Sequence, residues 1–296
     1  MDAVVAVEKE DILEKEKSKL PIAKIKSYIM KVLIYGAAVL TFGALIYIIV
    51  YIIANGIAYI KPSLFAWTYT SDNASLMPAL INTISMTVLS LAISIPFGVG
   101  SAIYLSEYAK RGSKFVKIVR MTTETLAGIP SIVYGLFGSI FFVTFLKMRL
   151  SLAAGACTLA IMILPLIMRT TEEALRSVPD LYREASFGLG AGKMRTIFKV
   201  ILPAAAPGIL SGIILAIGRI VGETAALLYT AGSVTKVAGL TDAARTLSTH
   251  MYLLSSEAFH TGEAYGTAVV LLIVVIGINA LASLAARKFG NQGSDK

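Results

Sequence analysis

Two charged residues interrupt the long apolar run at residues 207–230. Arg219 follows Pro207 by 12 residues, which places it about 18 Å along a helix that rises ~1.5 Å per residue. At that depth in a bilayer an arginine costs about 2.5–3.5 kcal/mol even on the mildest scale. Glu223 follows at i+4, on the same face of a continuous helix. Two hypotheses stand: a structural ion pair that fixes helix packing, or a guanidinium whose parallel hydrogen bonds contact an oxyanion.

A second pair of opposite charges, Arg169 and Glu172, ends the apolar run at residues 151–171. Near a membrane interface such a pair costs little, because the side chains can reach water. A purely structural pair and a place in a path for anions both remain open for these two residues.

The polar segment at residues 169–206 has the spacing of a helical hairpin. Glu184, Ala185 and Ser186 are followed by Gly190, and the segment ends with Leu202 and Pro203. Glycine accepts positive φ without a Cβ clash, so the pattern predicts a helix, a turn at Gly190 and a second helix that stops near Pro203. A hairpin of this kind is well suited to docking on another protein.

The same segment contains a glycine-rich stretch that fails as a nucleotide site. A phosphate-binding loop needs Gly, four residues, Gly-Lys and then Ser or Thr. Phe187 stands at the first position and Met194 at the last. His250 and His260 lack metal-ligand spacing. We therefore expect a protein that is not an enzyme, with no catalytic residues, no metal and no cofactor.

The elements that position these residues are membrane spans. The chain is 56% hydrophobic and only 15% charged, with a mean hydropathy of +0.75, which is typical of the membrane class. Its single cysteine, Cys157, excludes an intrachain disulfide. Apolar runs near the length that crosses a bilayer predict six spans, at residues 32–60, 78–105, 122–146, 151–171, 207–230 and 266–286.

The distribution of basic residues predicts the orientation of these spans. With the N-terminus inside, 21 of the 27 Lys and Arg residues are cytoplasmic and 5 are external. This bias favours tails at 1–31 and 288–296 that are both cytoplasmic. The first tail is expected to be either an amphipathic surface helix or a solvated segment. The net charge of +9 thus reflects membrane topology and gives no reason to expect nucleic acid.

Two motifs carry a resemblance to a known family. The hairpin segment resembles the EAA loop of ABC importer permeases, with Ser186 in place of the second Ala. Gly218 to Ala225 is similar to the Arg-x-x-Gly-Glu-Thr-Ala signature of Pst-type phosphate permeases, although Ala226 replaces the usual Pro. Residues 125–135 and Arg169 to Glu172 resemble the same family.

The resemblance implies an all-α, type I ABC importer (MetI-like) permease fold. Its core would be residues 78–287, with the coupling loop at 169–206 and the 32–60 helix outside. It implies partners: an ABC ATPase that hydrolyses ATP, a second permease subunit, an external phosphate-binding protein and the lipid bilayer. It assigns the substrate path to Arg219, Glu223, Arg169 and Glu172, and ATPase coupling to Glu184, Ala185, Ser186, Gly190, Leu202 and Pro203.

Two other functions remain open. An importer of the same architecture could carry phosphonate, molybdate or sulfate, since substrate choice in such systems rests largely with the binding protein. A stand-alone channel or secondary carrier is the other alternative. Disordering residues 184–203 would leave a channel active, whereas it would abolish ATP-linked uptake by a permease.

Overall fold

The computed structural model describes residues 2–110, 112–257 and 260–291, and within these ranges all regular structure is helical. The predicted all-α fold is therefore confirmed. A helix satisfies every backbone N–H and C=O within its own segment, which hydrocarbon surroundings demand. Residues 292–296 of the predicted C-terminal tail lie outside the described residues.

The described helices follow one another along the chain with short connections. They are α1 (Asp2–Gly56), α2 (Met77–Ile103), α3 (Lys114–Ala127), α4 (Ser131–Gly138), α5 (Leu152–Ser177), α6 (Asp180–Gly188), α7 (Lys193–Thr196), α8 (Leu202–Val221), α9 (Ala225–Thr230), α10 (Leu247–Ser256) and α11 (Thr261–Asn291). Short 3-10 helices lie at Ile57–Tyr59 and Pro62–Phe65. π-helical segments continue α2, α4 and α7 at Tyr104–Tyr108, Ser139–Phe145 and Ile197–Ile201.

Five helical stretches in the described ranges are long and apolar enough to cross a membrane. They are Lys24–Tyr59, Met77–Tyr108, Leu152–Ser177, Lys193–Val221 and Thr261–Leu281. A sixth span results if α3 and the α4 stretch, Ser131–Phe145, count as one bent span. The chain forms two units, residues 1–54, which hold most of α1, and residues 55–296, which hold all other helices.

Glycines let the helices of the larger unit approach closely. A Cβ on Gly98 of α2 would lie 2.8 Å from Ile167 Cγ2 of α5, and one on Gly155 would lie 2.8 Å from Met86 Cε. On the other side of α5, a Cβ on Gly212 of α8 would lie 2.6 Å from Thr170 Cβ. In lipid the hydrophobic effect does not drive helices together. Small residues of this kind instead let helices approach closely and pack through van der Waals contacts. The centre of the core is therefore α5, held between α2 and α8.

Two predicted spans are broken. The run at 122–146 bends by 101° between α3 and α4, at Gly128 to Pro130. Proline disfavours helical geometry in the residue before it and cannot donate a backbone hydrogen bond. The run at 207–230 breaks at Gly222 to Thr224, between α8 and α9. This break forms although Ala226 stands where the family pattern has proline, so proline is not its cause.

The predicted stop at Pro203 is wrong. Helical structure is continuous from Lys193 to Val221, and Pro203 lies in the first turn of α8. A proline at the start of an α-helix sacrifices no intrahelical bond. The π-helical segment Ile197–Ile201 precedes it and carries the chain from α7 into α8.

Candidate functional site

Glu223 does not pair with Arg219. Helix α8 ends at Val221, so the i+4 relation that predicted an ion pair does not apply. Instead, Glu223 Oε1 accepts a hydrogen bond from the backbone N of Ala226 at 3.0 Å, and Ser248 Oγ donates to the Glu223 carbonyl oxygen at 2.6 Å. Among the described residues no ion pair within 4.0 Å involves Arg219. The carboxylate caps the start of α9 and leaves Arg219 unneutralised.

Arg219 lines a cavity between α5, α8 and α11. The cavity has a volume of about 410 Å³, and its polar side chains are Arg219, Ser211 and Asn279, with Leu166 on the α5 side. Ser211 Oγ donates to the carbonyl of Pro207 one turn earlier. None of the described lining residues is acidic. The cavity is therefore electropositive and suited to an anion.

The predicted pair of Arg169 and Glu172 does not form either. Arg169 Nε bonds Glu173 Oε1 at 3.0 Å, and both of these side chains are largely exposed. Glu172 is buried, and its Oε1 accepts from Arg120 Nη2 of α3 at 2.6 Å and from Arg176 Nη2 at 3.0 Å. Both residues use partners at i+4 on α5 instead, and Arg120 of α3, which packs against α5, adds a second cation to Glu172.

Together these charges surround a small second cavity of about 140 Å³ at the α6 end of the bundle. Its charged lining consists of Arg120, Glu124, Arg169, Glu172, Glu173 and Arg176. Three cations and three carboxylates balance one another there. The sequence pattern found Arg169 and Glu172 but missed Arg120, because its partner lies 52 residues away along the chain.

The hairpin predicted around Gly190 is present. Helix α6 carries exposed Glu184 and Ala185, and Gly190 has a φ of +79°, as expected for a glycine turn. Ser186 is buried, and its hydroxyl lies 2.8 Å from Thr196 Oγ1 of α7. Replacement of the motif's second Ala by Ser186 thus adds a hydrogen bond that ties the two arms of the hairpin together. Leu202 and Pro203 begin α8.

Arg183 anchors this hairpin to the bundle, a role that the sequence did not reveal. Its Nη2 bonds Glu107 Oε1 at 2.6 Å and the Leu175 carbonyl at 3.0 Å, while Nη1 bonds the Val178 carbonyl at 2.9 Å. Asp180 adds an exposed contact at 3.2 Å. The hydrogen bond to Glu107, foremost, raises the pKa of the Arg183 guanidinium. One side chain therefore joins α6, the last turn of α5 and the π-helical end of α2.

At the opposite end of the bundle, the buried amide of Asn82 fixes the segment between α9 and α10. Its Nδ2 donates to the carbonyls of Lys236 at 2.9 Å and Arg245 at 3.2 Å, and its Oδ1 accepts from the Ala238 N–H at 2.9 Å. A single asparagine that satisfies three backbone groups holds a long connection in one conformation.

His250 completes this network on α10. Its Nε2 is 3.2 Å from the Ala74 carbonyl and its Nδ1 is 3.4 Å from Arg245 Nη1. Burial, with a smaller contribution from Arg245, lowers the pKa of His250 to about 4. The neutral ring that donates through Nε2 and accepts through Nδ1 matches both partners, so His250 serves as a buried structural histidine.

These features define a class. The chain is a multi-pass membrane protein with a cation that has no ion-pair partner among the described residues in a cavity between its spans, and with an anchored helical hairpin at one end. It belongs to the family of binding-protein-dependent transport system inner membrane components, whose pattern matches residues 94–291. It is thus a transmembrane permease component.

Curated relatives agree with this family. The chain is 34% identical over 262 residues to a probable ABC transporter permease protein, YqgI, of Bacillus subtilis, with 81% of this chain and 86% of the relative covered. It is 31% identical over 269 residues to the phosphate transport system permease protein PstA of Mycobacterium leprae, with 86% and 87% covered.

Solved structures support the fold. An inward-facing MetNI methionine ABC transporter structure matches with a TM-score of 0.56 and 22% identity, over 72% of this chain and 94% of the matched chain. The predicted MetI-like permease fold is therefore confirmed.

Proposed function

We propose that this permease imports inorganic phosphate, which it moves inward by alternating access driven by ATP hydrolysis in a partner subunit. The observation that carries the proposal is Arg219, a cation among apolar spans that no carboxylate of the described chain neutralises. A guanidinium binds tetrahedral oxyanions through parallel charge-assisted hydrogen bonds. Phosphate is the substrate named for the Mycobacterium leprae relative.

Helix α6 is the proposed contact with an ABC ATPase. Its outward surface presents Glu184 and Ala185, and Leu181 and Leu189 are 69% and 90% exposed. Large exposed apolar side chains beside charges are typical of a docking surface. Because Arg183 anchors the helix to α2 and α5, a movement of the ATPase at α6 would be transmitted to the spans.

The remaining partners follow from the proposed orientation, with both termini cytoplasmic in a cell (inner) membrane. A second permease subunit would complete the path, and an external phosphate-binding protein would dock on residues 61–77 and 231–264. The 231–264 segment contains α10, which Asn82 and His250 help to fix. Nucleic acid has no place in this assembly.

Arg219 is the proposed contact for the anion in the middle of its passage. Arg169 and Glu172 belong to the charged cluster at the α6 end, which would be the inner mouth of the path. There Glu172 would hold Arg120 and Arg176 in place, while the exposed Arg169 would meet the departing anion. Glu223 contributes by capping α9, and so by shaping the break that follows Arg219.

The experiment that tests this function is reconstitution in vesicles with the co-purified ATPase, second permease and binding protein. Glu184→Lys and Gly190→Pro should leave assembly intact but reduce ATP-driven phosphate uptake about 5- to 150-fold, the usual range of a coupling energy. Lys24→Glu, a charge reversal at an exposed residue of α1 outside the proposed docking surfaces, is the control.

Other outcomes decide between the alternatives. Normal ATP-driven uptake by both hairpin variants would show that α6 is not the coupling element. Uptake without ATP would identify a channel or secondary carrier. ATP-driven uptake of phosphonate, molybdate or sulfate in place of phosphate would assign a different oxyanion to the same transporter.

A further inference from the structure

The cavity that holds Arg219 contains a second polar group whose role is unassigned. Asn279 of α11 lines the same 410 Å³ space, opposite Ser211 and Arg219 of α8. Both Arg219 and Asn279 are half-buried. Apart from these side chains and Gly218, the described lining is aliphatic. An asparagine and an arginine from two different spans therefore line one open, otherwise largely apolar cavity.

Neither group is satisfied by the described part of the chain. Arg219 has no ion pair there, and the Asn279 amide has no hydrogen-bond partner among the described residues. Both side chains keep part of their surface accessible at the cavity, so their polar groups are open to a solute that enters it. A ligand that carries both donors and acceptors could bond to the two groups at once.

We propose that Asn279 is a second contact for the transported oxyanion and acts together with Arg219. The inference rests on the proposed function and deepens it. Arg219 offers only donors and a positive charge, whereas an amide offers two N–H donors and a carbonyl acceptor. The pair suits an oxyanion that still carries a proton, such as hydrogen phosphate or a phosphonate, because its O–H can donate to the Asn279 carbonyl.

The position of the two residues fits this role. Ser211 and Arg219 lie eight residues apart on α8, and both line the cavity. Ser211 Oγ uses its proton on the Pro207 carbonyl. Its oxygen therefore keeps lone pairs that can accept from a protonated anion. The cavity thus combines one cation with two neutral polar groups, which gives a weak site suited to passage.

The test compares four variants in the reconstituted importer. Asn279→Leu removes all hydrogen bonding at similar size, and uptake of radiolabelled phosphate should fall about tenfold, as for one hydrogen bond to a charged group. Asn279→Asp is nearly isosteric but places a carboxylate beside Arg219, where it would compete with the substrate. Its uptake should be about tenfold lower still, the size of one further charge-assisted contact. Ser283→Leu, an exposed position on α11 outside the cavity lining, is the control.

Assembly and basal ATP hydrolysis separate this role from helix packing. The expected result is full assembly and hydrolysis with uptake in the order wild type, Leu, Asp. Wild-type uptake by Asn279→Leu, or an Asp variant that transports as well as Leu, would overturn the inference. If the Leu variant does not assemble, Asn279→Ala takes its place, with the same tenfold loss of uptake expected and wild-type uptake again overturning the inference.

Arg219→Gln distinguishes a failure at Asn279 from a failure of the proposed function. Loss of uptake in Arg219→Gln with normal uptake in Asn279→Leu would refute the role of Asn279 alone. Normal uptake in Arg219→Gln would refute the proposed site at Arg219, and the inference about Asn279 with it.

Discussion

Arg219 carries a charge among apolar spans. Glu223, the carboxylate that sequence spacing places at i+4, does not offset the free-energy cost of that charge. Glu223 would face Arg219 only if the helix continued, and α8 ends at Val221. Its carboxylate is used instead by the backbone of α9. The ion-pair hypothesis therefore loses its geometric basis, and the hypothesis of an anion contact gains.

A double mutant tests this at the residue scale. Arg219→Leu should abolish phosphate uptake, and adding Glu223→Leu should not restore it, because the two charges do not neutralise each other. The Leu at 223 should also destabilise the start of α9 by about 0.5–2 kcal/mol, as loss of a cap does. Uptake and complex assembly are measured in parallel.

The control is Glu223→Gln, which keeps an oxygen for the Ala226 N–H and should assemble normally. Near-normal uptake by the Arg219→Leu, Glu223→Leu double mutant would support the ion-pair hypothesis and would contradict a role for Arg219 in the substrate path.

His250 gives a pH dependence with a definite sign. Its pKa in the folded protein is about 4, below the ~6.5 of a free histidine. Above pH 6.5 the ring is neutral in both the folded and the unfolded state, and its contribution to the free energy of unfolding is fully present. Between pH 6.5 and 4 only the unfolded state binds the proton, so stability falls by about 1.4 kcal/mol per pH unit, roughly 3 kcal/mol in all.

His250→Gln should therefore reduce the loss of thermal stability on acidification from pH 7.5 to 5. Glutamine can still donate to the Ala74 carbonyl and accept from Arg245, but it does not titrate. His260→Gln, at a more exposed histidine, serves as the control. An identical acid dependence in His250→Gln and wild type would show that another group causes the loss.

At the scale of elements, the coupling role proposed for the hairpin requires that it be firmly attached to the spans. Arg183 is 17% exposed and its partner Glu107 is 8% exposed, so water screens their ion pair weakly. The same guanidinium caps α5 through the carbonyls of Leu175 and Val178. Because Arg183 holds α6 to both α2 and α5, a movement of α6 can move both spans.

Breaking this anchor should uncouple the transporter. Arg183→Gln leaves the Glu107 carboxylate buried and unpaired, which costs about 3–5 kcal/mol. Thermal stability should fall, and the phosphate imported per ATP hydrolysed should fall with it. Exchanging the charges, with Glu107→Arg and Arg183→Glu together, should restore part of both relative to the single changes.

Asp180→Asn is the matched control, since Asp180 is 62% exposed and its contact with Arg183 is worth at most about 1 kcal/mol. If Arg183→Gln imported phosphate with normal stoichiometry, α6 would transmit movement by another route.

The sequence predicted local features of this molecule and missed those made by distant segments. The turn at Gly190 and the hairpin around it follow from short-range chemistry. The partners of Glu172 and Arg183 do not, because Arg120 and Glu107 lie 52 and 76 residues away. The i+4 rule failed at Glu223 for a related reason: it assumes a continuous helix, and packing of α9 against α4 at Gly135 favours the break.

At the scale of the whole molecule, the spans predict which surfaces face each side of the membrane. Single cysteines at Thr70 and Leu240 should react with an impermeant thiol reagent from outside, and those at Phe115 and Gly190 only from inside. All four positions are exposed. The background requires Cys157→Ala, because the native thiol is only partly buried. Labelling of position 240 from the cytoplasm would invert the proposed topology.

The glycine contacts around α5 decide how such a molecule can change shape. With Gly98, Gly155 and Gly212 each too close to a neighbouring helix to accept a methyl group, α2 and α8 cannot slide along α5 without driving side chains into backbone. We therefore expect shear between these three helices to be disfavoured, so that they move together. We expect rotation to occur at the breaks at Gly128 to Pro130 and Gly222 to Thr224, and the second of these adjoins Arg219. A movement of α6 would thus first change the angle between α8 and α9, next to the Arg219 guanidinium.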